Sequence, residues 1–525
     1  MSESGFPGAQ ERGEGAIPHD SLVAWGTSNR WGLLLPPVLL ICLFFYGAIA
    51  GYQGSNLVVF SLGTATLTLG LVPVAINNSF EWRNGHVLIS LLALVYAGYF
   101  GIPALVRYAP VSGGVVPGSM GDRLVQSEAV IDAQLVILLG FVTLLLAYMN
   151  PLLRRRSART GSTSWDWTPR TTAFVATGML LMGWSISIIL SSSSASQIFG
   201  TGFISTLASA QIFCVIPLVL LWQRYDSKAA LIALLIIIPI STVIGFLTGS
   251  KREALNTIAI VFLTLTVLRG RFGWRWIAIG VLGLALLYPL TAYYQNYLIG
   301  DARTSAIEVL KNPQRIFTAL GRFVTESDLS DHLEDGLEAT ALRIDGLGVN
   351  AVIQSDTPSV VPYQNGRTLA LFFIAPIPRA LWPGKPVFTV GQWVTDNYSH
   401  GLDTNTAPTQ IGEFYFNFGI PGVIGGMLLL GTVLRIVNDT FVGPNITAPA
   451  LLIVVVAIYY LCTKFESAVS KQYANLLFAA VPILAVHFAA RIFGGCVRVH
   501  TDAPDADSRD NQDALSSLGG LGSAE

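Results

Sequence analysis

IDAQLVILLGFVTLLLAYM, residues 131–149, is followed at once by NPLLRRRSAR, residues 150–159. The first stretch is apolar over the length that a helix needs to cross a bilayer core of roughly 30 Å. The second carries four arginines, and short loops rich in Arg and Lys stay on the cytoplasmic side of a membrane. Together the two stretches predict a transmembrane helix and its orientation.

The same combination recurs along the chain. Of its 525 residues, 52% are hydrophobic and 12% are charged, and the mean hydropathy is +0.57. A soluble domain carries about 25% charged residues. Apolar windows predict spans at 31–52, 56–76, 86–105, 131–149, 171–190, 204–222, 229–247, 254–268, 275–294, 411–434, 447–462 and 474–493. We therefore expect an all-α polytopic membrane protein with about twelve transmembrane helices.

Basic residues indicate the orientation of the helices. Clusters of Arg and Lys follow the fourth, sixth and eighth predicted spans, and an Arg follows the tenth. All these loops lie on one side, which the positive-inside bias makes cytoplasmic. Residues 1–30 and 497–525 are polar and poor in apolar residues, so we expect disordered cytoplasmic termini. The prediction is a multi-pass protein of the cytoplasmic (inner) membrane.

Charge and cysteine usage exclude several classes of function. The formal net charge of -1 argues against binding to nucleic acid or another polyanion. Cysteines 42, 214, 462 and 496 lie in or beside apolar runs without paired spacing. We expect buried small side chains there, and neither a disulfide nor a metal site. The sequence has no nucleotide-binding loop or metal-ligand motif, and no cofactor is expected.

A long loop separates two groups of predicted spans. Residues 31–294 hold spans one to nine and residues 411–493 hold spans ten to twelve. Residues 295–410 therefore form an extracytoplasmic loop, large enough for a small domain with interfacial helices. Its apolar run at 368–377 is too short to cross a membrane, which predicts an interfacial or re-entrant segment.

TGSKRE, residues 248–253, lies at the outer junction of the seventh and eighth predicted spans. Lys251 and Arg252 oppose the positive-inside bias there, at a position where a helix begins. Two cations at a helix N-terminus suit an anion such as phosphate. The alternative is that both side chains reach lipid head groups. We favour the anion site, because Gly and Ser in so tight a turn allow close approach of the backbone.

IPRALWPGKP, residues 377–386, holds Arg379 and Lys385 on a backbone stiffened by three prolines. A rigid backbone suits a site that keeps two cations at a fixed separation. The structural alternative is a loop that Trp382 anchors in the membrane interface. We favour the functional interpretation for both cations.

TAPTQIGEFYFNFG, residues 406–419, leads from the loop into the tenth predicted span. Glu413, Tyr415 and Asn417 alternate with apolar residues near the outer leaflet. An ionisable group inside the membrane boundary is costly, so Glu413 is a functional candidate, and its two polar neighbours are expected to bind substrate. The alternatives for Glu413 are a helix cap or an ion pair with one of the two loop cations.

Weaker candidates lie elsewhere in the loop. Arg343 and Asp345 alternate with apolar neighbours, as residues that line a groove do, and His400 is a further candidate for substrate binding. The middles of the spans carry almost no ionisable residues, which argues against a proton- or sodium-coupled transporter. An enzyme that acts on a lipid-linked phosphate at the outer face of the membrane fits this distribution better.

Three of these stretches resemble a known family. TGSKRE, IPRALWPGKP and the run APTQIGEFYFNFGIPGVIGG at 407–426 look like those of bacterial oligosaccharide repeat-unit polymerases of the O-antigen polymerase (Wzy) type. The resemblance implies a GT-C-like membrane fold and a metal-independent, inverting glycosyltransferase. Such enzymes move a growing glycan from polyprenyl pyrophosphate to another lipid-linked repeat unit. They thereby build a surface polysaccharide.

The resemblance also implies roles for outer-loop arginines. Arg252 and Arg379 match that pattern and are the expected catalytic cations. An Arg-x10-Gly spacing of some members is absent at Arg379, where the nearest fit, Gly391, is off by one.

The resulting hypothesis is a direct displacement at the anomeric carbon. The two cations of TGSKRE and the two of IPRALWPGKP neutralise the pyrophosphate leaving group. Glu413 is the expected general base, ahead of Asp345 and His400. Three alternatives stay open: an O-antigen-type ligase that uses the same donor, a lipid-linked sugar flippase or transporter, and a non-enzymatic membrane scaffold. Expected partners are the lipid-linked oligosaccharide, the bilayer, a flippase and a chain-length regulator.

Overall fold

The protein is largely helical. The computed structural model describes residues 33–79, 86–110, 115–117, 124–150, 164–190, 203–247, 251–269, 345–377, 382, 384–385, 390–399, 406–443 and 446–499. Strands β1 (Val115–Pro117) and β2 (Leu124–Gln126) form one antiparallel pair, and β3 (Ser164–Trp167) and β4 (Cys496–Val499) form another.

The helices within this part of the chain carry most of its residues. In chain order they are α1 (Leu35–Ile49), α2 (Gly54–Ser79), α3 (Val87–Tyr108, with π-helical turns Ala97–Gly101 and Ala104–Tyr108), α4 (Ser127–Tyr148), α5 (Pro169–Leu190), α6 (the consecutive helices Phe203–Ala208, Ala210–Phe213 and Val215–Tyr225), α7 (Lys228–Leu247), α8 (Lys251–Arg269), α9 (Gly346–Asp356), α10 (Leu371–Ile374), α11 (Val390–Val394, followed by the π-helical turn Thr395–Ser399), α12 (Thr409–Phe441), α13 (Ala448–Thr463, ending in the π-helical turn Ile458–Thr463) and α14 (Val469–Ile492).

Each predicted span that falls within the described residues is helical. Eight of these helices are long and apolar enough to cross a membrane, and α1, α8 and α13 contribute shorter apolar stretches. The ninth predicted span, 275–294, lies outside the described residues. The chain is therefore a helical, polytopic membrane protein.

The two ends of the bundle carry different structures. The described residues 345–377 and 390–399 and the β1–β2 pair lie where α3 and α13 end and where α4, α12 and α14 begin, and we call this the loop end. The β3–β4 pair lies where α4 and α6 end and where α5 and α13 begin, and we call this the tail end. Of the polar candidate residues, the described ones at the loop end are Asp345, Lys385, Glu413, Tyr415 and Asn417.

Helix α12 packs closely along α4 because small residues let the two backbones approach. A Cβ atom added to Gly431 would lie 2.5 Å from the carbonyl oxygen of Leu144, so only glycine fits there. Gly140 of α4 lies against Val423 and Met427 of α12 in the same interface. This contact fixes α12 against α4 in the bundle.

Helix α9 is a loop helix that packs inside the bundle. Nine of its eleven residues are buried, and it contacts α3, α4 and α12. The Asp345 side chain accepts a hydrogen bond from the Gly348 N–H (2.8 Å) and so caps its first turn. This part of the predicted loop domain at 295–410 is therefore attached directly to the membrane-length helices.

Asp166, in β3, organises the tail end. Its carboxylate accepts hydrogen bonds from the backbone N–H groups of Trp167 (2.8 Å) and Ala448 (2.7 Å), the latter at the start of α13. Arg224, at the end of α6, forms an ion pair with Asp166 (Nη1 to Oδ2, 2.7 Å) and donates to the Ile446 carbonyl. Three elements thus meet at one buried carboxylate.

The β3–β4 pair corrects one prediction. The tail that composition assigned to disorder begins at residue 497, yet residues 497–499 belong to β4 and pair with β3. The guanidinium groups of Arg491 and Arg498 lie over the ring of Trp165, 4.8 Å and 5.2 Å from its centroid. These cation–π contacts anchor a strand whose composition resembles that of the polar tail.

The prediction that all four cysteines are buried is only partly correct. All four are free thiols, and Cys214 and Cys462 are buried as expected, while Cys496 is partly buried. Cys42 is exposed, because α1 turns most of its apolar side chains outward, towards the position of the lipid. The prediction of a buried side chain is therefore wrong at this position.

Replacing Arg224→Ala is expected to destabilise the protein, because it removes the counter-ion of Asp166, which is 4% exposed. The lost charged hydrogen bond corresponds to about 2 kcal/mol. Thermal unfolding of the purified protein in detergent measures the effect as a lower midpoint. Arg170→Ala, at an exposed position of the same end, is the matched control and is expected to unfold like the wild type. Equal midpoints for the two variants would contradict the proposed role of Asp166.

Candidate functional site

Helix α12 is broken near the loop end, at Gly419. This residue has φ 65° and ψ −151°, a conformation that is essentially restricted to glycine. Pro421 follows and has no N–H to donate to the carbonyl of Asn417, four residues earlier. The break separates residues 409–418, which we call the half-helix, from the longer part at 420–441.

The loop segment 363–366 pairs with the carbonyl groups that the break exposes. The N–H of Gln364 donates to the carbonyl of Phe416 (2.9 Å), and the N–H of Asn365 donates to that of Asn417 (3.1 Å). Backbone groups at membrane depth need partners within the protein, because lipid offers none. The break therefore holds this loop segment against the bundle.

The apolar run at 368–377 follows directly. It consists of turns and the single helical turn α10, and the Phe373 side chain is 77% exposed. Phe372 makes an edge contact with Tyr473 of α14, with ring centroids 6.5 Å apart. The run thus lies on the surface of α14 with an apolar side chain facing outward, which suits the predicted interfacial segment.

Lys385 closes the turn that follows α10. Its ammonium group donates hydrogen bonds to the carbonyl oxygens of Ala375 and Ile377, both at 3.0 Å. Trp382, three residues earlier, is 39% exposed, as an interface anchor is expected to be. These contacts favour the structural interpretation of Lys385, a brace within the loop.

Glu413 lies on the half-helix and has no exposed surface. Its Oε2 accepts a hydrogen bond from the N–H of Val469, the first residue of α14, and so caps that helix. Asn417, one turn further on, donates to the Glu413 carbonyl (2.8 Å) and to the Thr368 hydroxyl (2.7 Å). In this structure Glu413 therefore acts as a helix cap, which is one of the alternatives considered for it from the sequence. A general base must reach the acceptor hydroxyl, and the Glu413 side chain has no exposed surface in this structure, so its role as base stays a prediction.

Two oxygen atoms in this cluster have no hydrogen-bond donor of good geometry within the described residues. They are Glu413 Oε1 and Asn417 Oδ1, both buried, although the Thr368 hydroxyl lies beside the carboxylate. Buried acceptors without donors are uncommon and call for a specific explanation. They mark the half-helix as one of the places in the described bundle where buried polar atoms call for such an explanation.

Two glutamines join the half-helix to its neighbours, and both are 1% exposed. The Gln410 amide donates to the Leu461 carbonyl of α13 (3.0 Å) and to the Gln472 side-chain oxygen of α14 (2.7 Å). The Tyr96 hydroxyl of α3 donates to the Gln410 oxygen (3.0 Å). Gln472 in turn donates to carbonyl groups of the loop 464–467. This network ties four elements together at the loop end.

Asp345 is enclosed by α3. The Tyr108 hydroxyl donates to Asp345 Oδ2 (2.5 Å), and Arg107 Nη1 lies 3.1 Å from the same oxygen. Burial raises the pKa of Asp345 above its usual value, although its hydrogen bonds and the charge of Arg107 act in the opposite direction. With 2% of its surface exposed, Asp345 does not line an open groove; it anchors α9 to α3.

The other predicted site residues are only partly covered by the structure. Tyr415 is partly buried on the half-helix. The backbone of Lys251 and Arg252 begins α8, where a helix start was predicted, and their side chains lie outside the described part. Three further predicted residues also lie outside it: Arg343, Arg379 and His400. The anion-binding and catalytic roles of these side chains stay predictions.

The structure adds two cations to the candidate site. Lys464 and Lys471 lie at the loop end, between α13 and α14, and line a cavity of about 50 Å³. In sequence they form a basic pair in a loop that the span count places outside. Lys464 and Lys471 thus oppose the positive-inside bias, as Lys251 and Arg252 do, and this signal was available in the sequence.

These features define the class of protein. Membrane-length helices surround a broken helix, and a loop covers the break at one end of the bundle. The chain is therefore a multi-pass membrane protein with its candidate site at the loop end.

The family follows from a comparison of the sequence with family models. Residues 185–494 match the model described as O-antigen polysaccharide polymerase Wzy. The match covers more than half of the chain and includes the half-helix, the loop that covers its break and the Lys464–Lys471 cavity. The chain belongs to this family, which confirms the resemblance seen in its sequence. No curated protein and no solved structure matches the chain.

Replacing Gly419→Ala is expected to disrupt the loop end, because the backbone conformation excludes a side chain. The added Cβ atom would also lie 3.0 Å from the hydroxyl of Tyr363. Forcing this conformation costs about 1 to 3 kcal/mol. A lower unfolding midpoint and loss of polymer are the expected results.

Gly425→Ala is the matched control on the same helix. Gly425 has no atom within 4 Å of an added Cβ and lies in regular helix. Alanine there is expected to be neutral or stabilising by up to about 1 kcal/mol. Equal losses in both variants would show that the break has no special role.

Proposed function

We propose that this protein polymerises polyprenyl-pyrophosphate-linked oligosaccharide repeat units into a surface polysaccharide at the outer face of the cytoplasmic membrane. One observation carries the proposal: the polymerase family model covers the loop end, including the half-helix. Apolar helices suit a long polyprenyl tail, and the cations of the loop end suit its pyrophosphate.

The proposed orientation places the loop end outside. The arginine-rich loop at 154–159 follows α4 and so belongs to the tail end. The positive-inside bias makes that end cytoplasmic. A lipid-linked repeat unit that has already crossed the membrane then meets the loop end.

The proposed reaction is an inverting displacement. A hydroxyl oxygen of the acceptor attacks the anomeric carbon of the donor, and the bond from that carbon to the pyrophosphate oxygen breaks with its electron pair. The pyrophosphate leaves on its lipid, and the hydroxyl proton passes to a base. Lys251, Arg252 and Arg379 neutralise the leaving group, so that protein cations supply the stabilisation that a metal ion gives in other transferases.

We assign Glu413 a positioning role in this reaction. Its carboxylate is buried and caps α14, so it holds the half-helix against that helix. Asp345 is enclosed in the same way by Arg107 and Tyr108. Of the bases considered, His400 therefore becomes the proposed proton acceptor.

The positioning role predicts a difference between Glu413→Gln and Glu413→Ala. Glutamine keeps an oxygen that accepts the Val469 N–H, so most of the polymer and the unfolding midpoint are expected to be retained. Alanine leaves that N–H buried without an acceptor, at a cost of about 1 to 3 kcal/mol, and polymer is expected to be lost. Polymer length on gels and thermal unfolding measure both effects. A Glu413→Gln protein that is as stable as wild type but makes no polymer would identify Glu413 as the base.

The polymerase proposal is tested by the glycolipid and polysaccharide profile of cells that lack the protein. We expect loss of long polymer and accumulation of single repeat units on lipid. Complementation with Arg252→Ala or Arg379→Ala is expected to restore protein but not polymer. Arg170→Ala, at the tail end, is the control and is expected to restore both.

Two other profiles would overturn the proposal. Intact polymer retained on its lipid carrier would identify a ligase, which uses the same donor with another acceptor. Precursor trapped on the cytoplasmic face would identify a flippase. Normal polymer from the Arg252 and Arg379 variants would remove the catalytic role assigned to these arginines.

A further inference from the structure

Two arginines converge on one tryptophan ring at the tail end. Trp165 of β3 pairs directly with Arg498 of β4, so their side chains stand on one face of the strand pair. The guanidinium carbons of Arg498 and of Arg491, the second-last residue of α14, lie 5.2 Å and 4.8 Å from the centroid of that ring. We call these three side chains the arginine patch.

Both guanidinium groups of the patch keep their positive charge. The face of an aromatic ring attracts a cation but does not neutralise it. Arg491 and Arg498 are exposed, and Trp165 is partly buried. Two like charges held at one ring repel each other. An anion that reaches both removes this repulsion and forms charge-assisted hydrogen bonds with the guanidinium groups.

The acidic residue of β3 is paired with a different arginine. Asp166 follows Trp165 in the strand, and consecutive side chains of a strand point to opposite faces. The Asp166 carboxylate forms an ion pair with Arg224 (2.7 Å) and accepts two backbone N–H groups. Its charge is therefore compensated by Arg224, and the patch adds positive charge to this end of the bundle.

The patch lies at the level where membrane-length helices end. Helix α14 ends one residue after Arg491, and α5 begins at Pro169, two residues after β3. Large apolar side chains beside the patch are exposed, with Phe493 at 86%: Phe488, Ile492, Phe493 and Val497. Tryptophan and arginine are typical of the layer where lipid tails meet their head groups. The patch thus presents cations to this layer, next to an apolar surface.

This combination suits an anionic phospholipid. Its phosphate provides the negative charge, and its acyl chains cover the apolar side chains at the end of α14. A zwitterionic lipid such as phosphatidylcholine also carries an ammonium group, which two guanidinium groups repel. A soluble anion would leave the apolar side chains uncovered. The anionic lipid is therefore the ligand that satisfies both parts of the surface.

We propose that the arginine patch binds the phosphate of an anionic phospholipid. Arg491 and Arg498 pair with the phosphate oxygens, and the Trp165 ring holds both guanidinium groups in place. The acyl chains lie beside Phe488 and Ile492. The proposed orientation assigns this lipid to the cytoplasmic leaflet, whereas the preference for an anionic lipid rests on the patch and its apolar neighbours. Bound lipid would hold β4 and the end of α14 together.

The test measures binding of phosphatidylglycerol and of phosphatidylcholine to the full-length protein in detergent, by native mass spectrometry. The wild type is expected to bind phosphatidylglycerol about twentyfold more tightly. Arg491→Gln and Arg498→Gln each remove one cation and are expected to lower this preference about fivefold. Arg491→Lys and Arg498→Lys keep the charge and are expected to retain most of it. Lys228→Gln, an exposed lysine at the same end, is the control and is expected to behave like the wild type.

Thermal unfolding separates lost folding from lost binding. Phosphatidylglycerol is expected to raise the unfolding midpoint of the wild type, because a ligand that binds the folded state stabilises it. The rise is expected to be smaller in a variant that carries both glutamines. A rise of wild-type size in that variant, once folded, overturns the proposal. If the glutamine variants do not fold, the wild type decides, since equal affinity for the two lipids also overturns the proposal.

A soluble competitor distinguishes a lipid from free phosphate. Inorganic phosphate at the concentration of the lipid is expected to leave phosphatidylglycerol bound, because it gains nothing from the apolar side chains. Displacement of the lipid by this competitor would show a site for soluble anions and overturn the lipid assignment. These measurements do not involve polymer. Normal polymer in cells that lack the protein would reject the polymerase function and leave the lipid site standing.

Discussion

The backbone carbonyl groups exposed at the break in α12 are the constraint on which the loop end depends. Gly419 and Pro421 end the regular hydrogen bonding of the half-helix at a depth where lipid provides no donors. Gln364 and Asn365 supply their own N–H groups instead. The loop segment 363–366 is therefore part of the helical bundle, because the helix it covers would otherwise hold unpaired carbonyl groups.

Buried polar side chains extend this arrangement to the neighbouring helices. Gln410 and Gln472 connect α3, α12 and α14 through hydrogen bonds within an apolar interior, and Glu413 caps α14. Such groups are costly to bury unless they are paired, so the pairing specifies how the helices meet. The half-helix is thereby held in one position relative to the cations of the loops around it.

The two ends of the bundle use charge in different ways. At the tail end, Asp166 is closed by Arg224 and by backbone N–H groups, so its charge contributes to stability. At the loop end, Lys464 and Lys471 line a cavity that contains no acidic side chain. Both lysines lie within the residues that match the Wzy polymerase family.

The sequence by itself determined the class, the positions of the spans within the described residues and the family, because apolar length and short motifs are local properties. It also singled out Glu413 and Asn417, which the structure places on the half-helix. Only the tertiary structure decided that Glu413 and Asp345 are enclosed, that residues 497–499 form a strand and that Lys464 and Lys471 share a cavity. Capping, strand pairing and cavities join residues that are far apart in the chain, and their energies depend on partners that spacing alone does not identify.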